Sequence, residues 1–276
     1  MRKYLKLVDF ELGRFFKIYL VLIAITIVTQ IAGVIVKSNK YLSQADKQIY
    51  EELIPKAQFL EQYGTMSFMQ VMTSAWFMGP IALCIAALIF YIFLIWYRDW
   101  FGKNTFIYRL LMLPTARLNV FLAKATSIFL MVLGLISVQL LLLPVASTIL
   151  KWMVPKDFRT DLTVGAITDF DYLQMLIPNT FIEFVINYGL GFMAVTVLFT
   201  AILFERSFRL KGILLGIAYS AIAVIIIISP LLIQEFLLGG FFYPIELLIL
   251  EVVMVIIVIA GSIWISNYLL NKKIRV

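Results

Sequence analysis

Residues 75–97 read AWFMGPIALCIAALIFYIFLIWY and hold no Asp, Glu, Lys or Arg. Within a bilayer every backbone N–H and C=O needs a partner inside the protein, which leaves helices or a closed barrel. A helix crosses with about 20 residues, whereas a barrel strand needs about 10 and alternates apolar with polar positions. This run shows no such alternation, so it predicts a transmembrane helix. Working outward from it, five further apolar runs predict spans at 18–36, 118–150, 181–204, 213–238 and 245–270. The run at 118–150 is long for a simple crossing. Asn119 and Lys124 near its start place that end in the cytoplasm or the interface. The composition agrees: 63% of the 276 residues are hydrophobic, 14% are charged, and the mean hydropathy is +0.99. Soluble domains are about half apolar and a quarter charged. The expectation is one all-α polytopic membrane domain of six helices over residues 1–276.

Orientation is read from the basic residues, which gather on the cytoplasmic side of membrane proteins. The N-terminal segment, the loop from Arg98 to Lys124, the loop 205–211 and the tail 272–275 carry 16 of the 23 Lys and Arg. Both termini are therefore expected in the cytoplasm of a multi-pass protein of the cell membrane, with basic inner loops that suit a bacterial plasma membrane. Residues 1–17, MRKYLKLVDFELGRFFK, place Leu5, Val8, Leu12, Phe15 and Phe16 at roughly helical spacing among five basic residues. This pattern predicts an amphipathic helix lying on the membrane surface, with a solvated basic tail as the alternative. A cleaved signal peptide is not expected, because the following apolar run is long and lacks a small-residue cleavage site. The external segments 37–74 and 151–180 are long and mixed in charge. Within the first, IYEELIPKAQFLEQY predicts a short amphipathic helix broken at Pro55. Trp76, Trp96, Trp100, Trp152 and Trp264 fall near span ends, where an aromatic belt would put them.

Several kinds of chemistry are disfavoured. There is no histidine, the commonest metal ligand and general base. The single cysteine, Cys84, lies inside a span and reads as a packing residue. No GxxxxGK[ST] loop is present to cradle nucleotide phosphates. The chain is expected to be non-catalytic, to hold no cofactor or metal of its own, and to bind lipid rather than nucleic acid.

The loop after the second span reads WYRDWFGKNTFIYRLLMLPTARLNVFLAK from Trp96 to Lys124. It predicts a cytoplasmic helix from Thr105 to Leu113 that Pro114 ends, since proline restricts the residue before it and cannot continue the ladder. Phe106, Leu110, Leu111 and Leu113 would form an apolar face able to fill a partner's groove. The alternative is a helix resting on lipid. The run LLMLPTARLNVFLAK resembles the segment after the second membrane helix in ABC-2-type transporter permeases, with Leu110, Leu111, Pro114, Arg117 and Lys124 at the matching positions. The resemblance implies an N-terminal elbow helix, a coupling helix within the cytoplasmic loop 98–117, and a hairpin re-entering from outside between the fifth and sixth spans. It also implies a second permease subunit and separate cytoplasmic ATPase subunits that carry ATP and Mg. The coupling residues so implied are Thr105, Phe106, Arg109, Leu110, Leu111, Pro114 and Arg117. Family members often carry an acidic residue in the coupling helix, where this chain has Arg109.

Polar residues inside spans complete the set. An ionisable group within the bilayer is costly unless it is paired or faces water. Glu251 lies deeper in the last span than Glu246 and is the better candidate for a translocation path. Glu246 reads as a head-group residue in a proline-led turn. Glu183 and Asn187 are four apart on one helical face and could join a neighbouring helix or line a vestibule. Gln30 and Gln139 read as interhelical hydrogen-bonding groups. Gly189 and Gly191 permit close packing but fall short of GxxxG, and Met175, Met193 and Met254 read as packing residues. Residues from Pro230 to Pro244 predict a re-entrant turn. The function expected is the permease subunit of an ATP-driven exporter for an amphipathic or hydrophobic substrate, such as a peptide, antibiotic or lipid-linked compound. An ion-driven secondary transporter and a membrane sensing or assembly subunit are the alternatives.

Overall fold

The computed structural model describes residues 2–101, 106–162, 165, 171–236, 239 and 242–274. Six of its helices are long and apolar enough to cross a membrane, so the chain is an all-α multi-pass membrane protein. The first, α1, runs Arg2–Asp46 and ends in a π turn, Lys47–Glu51. Short elements follow: α2 (Lys56–Tyr63), β1 (Met66–Ser67) and α3 (Phe68–Met72). Next come α4 (Ala75–Trp100), α5 (Phe106–Leu111) and α6 (Leu118–Met153). A 3-10 turn at Lys156–Phe158 leads to β2 (Arg159–Thr160) and α7 (Asp171–Leu176). The chain then forms α8 (Phe181–Phe208), α9 (Leu210–Phe236), α10 (Pro244–Tyr268) and a closing π turn, Leu269–Lys273.

One expectation about the first helix is corrected. No surface helix over 1–17 separates from a span at 18–36: α1 is continuous, because nothing between Phe16 and Val21 breaks a helix and Gly13 stays helical. Its first turns pack in part against protein, with Leu7 and Val8 buried and Arg14 ion-paired, while Leu5, Phe10 and Phe16 stay exposed. In the segment 37–74, α1 continues to Asp46 and a short helix, α2, begins directly after Pro55. At ~1.5 Å per residue, the 45 residues of α1 extend well beyond a hydrocarbon core ~30 Å thick.

The chain divides into two compact units. One comprises Phe15–Leu88 and Met131–Asn179. Its core gathers Val34, Met66, Phe68, Phe77, Leu143, Leu150, Val154 and Leu173. Both short entry helices follow a proline: Pro55 precedes α2 and Pro155 the 3-10 turn. The amide lost by proline would be unpaired at a helix start in any case. β1 and β2 pair in parallel, Met66 opposite Arg159 and Ser67 opposite Thr160. The Tyr41 hydroxyl donates to Gly64 O at 2.8 Å, and Phe59 sits among the rings of Tyr41, Tyr63 and Phe158. Outside this cap, the helices touch through small residues: Gly33 lies against Trp76 and Gly134 against Tyr19. Gln30 donates to Gln139 Oε1 at 3.0 Å and to Phe77 O at 3.3 Å, the bonding expected of two lone amides inside apolar spans.

The other unit comprises Met1–Arg14, Ile89–Leu130 and Thr180–Val276. Here α8 and α9 form an antiparallel pair joined through Arg209 alone, whose φ of 56° reverses the chain. Gly212 packs on the Phe204 carbonyl and Gly216 on Ala201. A side chain at Gly212 would collide with that backbone. Tight approach at small residues every fourth position is the usual packing device between membrane helices. α10 joins α8 through hydroxyls: Thr200 and Ser266 share a hydrogen bond of 2.9 Å, and Tyr219 of α9 reaches Ser262 at 2.6 Å. Met193, Val197, Ala223 and Val258 form the apolar core of these three helices. Trp96 is fully buried against Phe121 and Phe199 rather than lying in an interfacial belt.

The re-entrant turn expected from Pro230 is also corrected, because α9 passes through Pro230 and ends at Phe236. Proline at 230 leaves the Ile226 carbonyl without its amide donor, and Ser229 Oγ donates to that carbonyl at 2.7 Å. Such local repair is how membrane helices tolerate proline. What remains of the expected hairpin is the segment from Phe236 to Pro244, in which 237–238 and 240–241 lie outside the described residues.

Candidate functional site

The densest polar constellation is an ion cluster within the second unit described above. α1 contributes Glu11 and Arg14, α4 contributes Arg98 and Asp99, and α6 contributes Lys124. The Lys124 ammonium is wholly buried and donates to Glu11 Oε1 at 2.8 Å, Asp99 Oδ2 at 2.5 Å and Ile95 O at 2.9 Å. These use all three of its protons. Its charge also lies 5.3 Å from the Trp96 ring. Arg14 donates to Asp99 Oδ1 at 2.7 Å and Arg98 to Glu11 Oε2 at 3.3 Å. Three cations thus face two carboxylates. Buried charges are tolerable when paired and hydrogen-bonded in this way, and removing one member leaves an uncompensated ion. The cluster pins three helices to one another at a single level.

Beside it lies α5. Its ring Phe106 stacks on Phe10 at 5.8 Å, and the Arg14 guanidinium sits 5.2 Å from both rings. Lys3 Nζ donates to the carbonyl of Pro114 at 3.1 Å. Arg117 donates to Leu270 O at 2.7 Å and Ile274 O at 3.1 Å, holding the last helical turn. The start of α1, the 114–117 turn and the end of α10 are therefore brought together.

The structure sorts the expected coupling residues into two groups. Ile107, Leu110 and Leu111 are buried within the chain. The apolar face expected to fill a partner's groove is thus packed internally at Leu110 and Leu111. Tyr108, Arg109, Met112, Leu113 and Pro114 face outward. Helix α5 covers Phe106–Leu111, and Thr105 lies outside the described residues. The matching positions Arg117 and Lys124 serve as a helix clamp and as the centre of the ion cluster.

The membrane-embedded candidates separate likewise. Thr180 caps α8 by accepting the Glu183 amide at 3.2 Å. Glu183 and Asn187 are half-buried in the first two turns of α8, and each is engaged by a partner. Glu246 accepts the Tyr243 amide at 3.0 Å and so caps α10 behind Pro244. Glu251 instead lines an apolar groove of about 260 Å³ among α8, α9 and α10. A second, wider groove of about 680 Å³ runs between α4, α8 and α9. At its polar end Tyr97 donates to Glu205, while Arg206 lies 4.6 Å from the Tyr97 ring and 5.7 Å from Trp100. Among the described residues no three His, Cys, Asp or Glu are grouped to hold a metal.

Sequence reasoning missed the ion cluster as a unit. The i,i+3 spacing of Glu11 and Arg14 and the apolar setting of Lys124 were its available signals. It also missed Gly212-xxx-Gly216-xxx-Ser220, which was legible as a close-packing stripe. Comparison with known proteins finds no matching family model, no matching curated protein and no matching solved structure.

Proposed function

We propose that this chain is the membrane subunit of an ATP-driven exporter of the ABC-2 type, with α5 and the 112–114 turn as the surface that meets a cytoplasmic ATPase. The observation that carries this reading is mechanical. An outward-facing knob, Tyr108, Arg109 and residues 112–114, is tied through Phe106 and Lys3 to α1, through Arg117 to the end of α10, and by chain continuity to α6. A push on the knob is thereby shared by three spans. The reading takes the basic end, with both termini, as cytoplasmic, in keeping with the charge asymmetry. A second permease subunit would complete the path, and the cargo would be amphipathic or hydrophobic, with Glu251 a contact on its route and Glu183 and Asn187 beside it.

Co-purification of an ATPase with the chain, and loss of transport on Arg109→Glu with unchanged insertion and thermal stability, is the expected result. Transport by the chain alone, driven by an ion gradient, would overturn it. One observation favours a second reading, a sensing or assembly subunit: Met66, Phe68, Val71 and Met72 share an apolar core with Leu150, Val154, Leu173 and Ile177. Ligand binding by the whole chain that needs this cap, without any associated ATPase, would support that alternative.

A further inference from the structure

We infer that the groove around Glu251 binds a single-headed cationic amphiphile, with its ammonium on the Glu251 carboxylate and its apolar body along α8 and α9. Three observations converge. First, the groove holds about 260 Å³, and Glu251 is its one charged residue, with Ile186, Leu190, Ile227 and Ile256 among the apolar walls. Small-ligand sites hold about 300–1,000 Å³ and combine apolar walls with a few polar groups, so this one suits a slender occupant.

Second, Glu251 lies seven residues past Pro244, about 10 Å along the helix at ~1.5 Å per residue. A carboxylate at such a position is normally found against a partner, a cavity or water. Glu251 has no hydrogen-bond or ion-pair partner among the described residues. Glu246, in contrast, is held at the helix cap.

Third, these helices supply no cation. There is no Lys or Arg between Arg159 and Arg206, nor between Lys211 and Lys272. No Lys or Arg of these helices can therefore pair with the Glu251 carboxylate. A second copy docked on this face about a two-fold axis would meet the same patch on its partner and so bring no cation either. An amphiphilic amine supplies the missing charge and also fills the apolar walls. A neutral alcohol of the same length would fill the walls only, and an alkyl sulfate would be repelled.

That this occupant is cargo rests on the transport reading above, but its binding does not. The test therefore uses the purified full chain in phosphatidylcholine nanodiscs without ATPase. The probe is decylammonium with a diazirine at the tail, and cross-links are mapped by peptide mass spectrometry. The expected result is labelling of 185–190 and 248–259. Unlabelled decylammonium should protect at least about tenfold better than decanol or decyl sulfate, a margin of about 1.4 kcal/mol. Glu251→Gln should remove that preference. Gly189→Leu, at a groove position with open space beside it, should block labelling with the carboxylate intact, so the test survives if one variant fails to fold. Equal protection by decanol, or unchanged labelling of Glu251→Gln, would overturn the inference. Loss of labelling when phosphatidylethanolamine replaces phosphatidylcholine would overturn it too, by making a resident lipid the occupant. Absence of ATPase coupling with labelling intact would sink the transport reading and leave the site standing.

Discussion

Two lysines of this chain make the same contact and mean different things. Lys124 meets Asp99 and Glu11 in a setting from which solvent is excluded. Lys56 meets Asp157 at 2.7 Å and lies 4.8 Å from the Phe158 ring, but both partners are largely exposed. In water the ions of the second pair keep their hydration, and the attraction is screened. In the first, each charge has given up water and depends on its neighbours. Distance alone would rank the pairs as equals; burial separates them.

The largest expected effect breaks the buried pair. Lys124→Met leaves two carboxylates against Arg14 and Arg98 with a vacant centre. It should cost about 3–5 kcal/mol, the usual penalty for orphaning a buried ion, read as a lowered Tm in detergent or nanodiscs. Adding Glu11→Gln and Asp99→Asn to that variant should deepen the loss, because Arg14 and Arg98 then have no carboxylate to face. A single variant that melts with the wild type would erase the contrast.

Next comes backbone approach. Gly212→Leu sets a side chain against the Phe204 carbonyl, and overpacking of this kind costs roughly 1–3 kcal/mol. Gly191→Leu, on the same pair of helices but with open space beside it, is the control and should melt near the wild type. Smaller still is Ser229→Ala, which leaves the Ile226 carbonyl unpaired beside Pro230 and should cost about 1 kcal/mol. Amide hydrogen exchange localised to α9 would report it.

The smallest effect belongs to the exposed pair. Lys56→Ala should leave Tm indistinguishable from wild type. The hydrogen bond and charge of Lys56 hold the Asp157 carboxyl below its ordinary value of 3.8, and Arg159 does the same for Asp161. A lowered folded-state value contributes stability above pH 3.8 that is lost as pH falls through the depressed value. Acid titration should thus loosen the Asp157 contact only below pH 3.8, with no change between pH 5 and 8, as followed by carboxyl chemical shifts.

The membrane-crossing helices were legible because apolar length without alternation has one solution in lipid. Helix starts were legible where proline marks them, as at Pro55 and Pro244. Pairing across the sequence was not. Nothing local to Glu11 indicates that its partner is Lys124, since that contact joins separate helices through tertiary packing. The same cause misplaced the first segment. Residues 2–14 carry a pattern that suits a lipid surface and a protein surface equally, and only the presence of Asp99 and Phe106 nearby decides between them. Pro230 misled for a different reason: its cost is real, but the adjacent serine offsets it. Glu246 and Glu251 read alike by composition, yet one caps a helix and the other faces an apolar hollow.

The reversal at Arg209 has a bearing on how the chain is made. With one residue between α8 and α9, no slack exists to let the first settle in the bilayer while the second waits outside. The two are expected to enter the bilayer together as one hairpin, and an axial shift of either is passed to its twin through that single link.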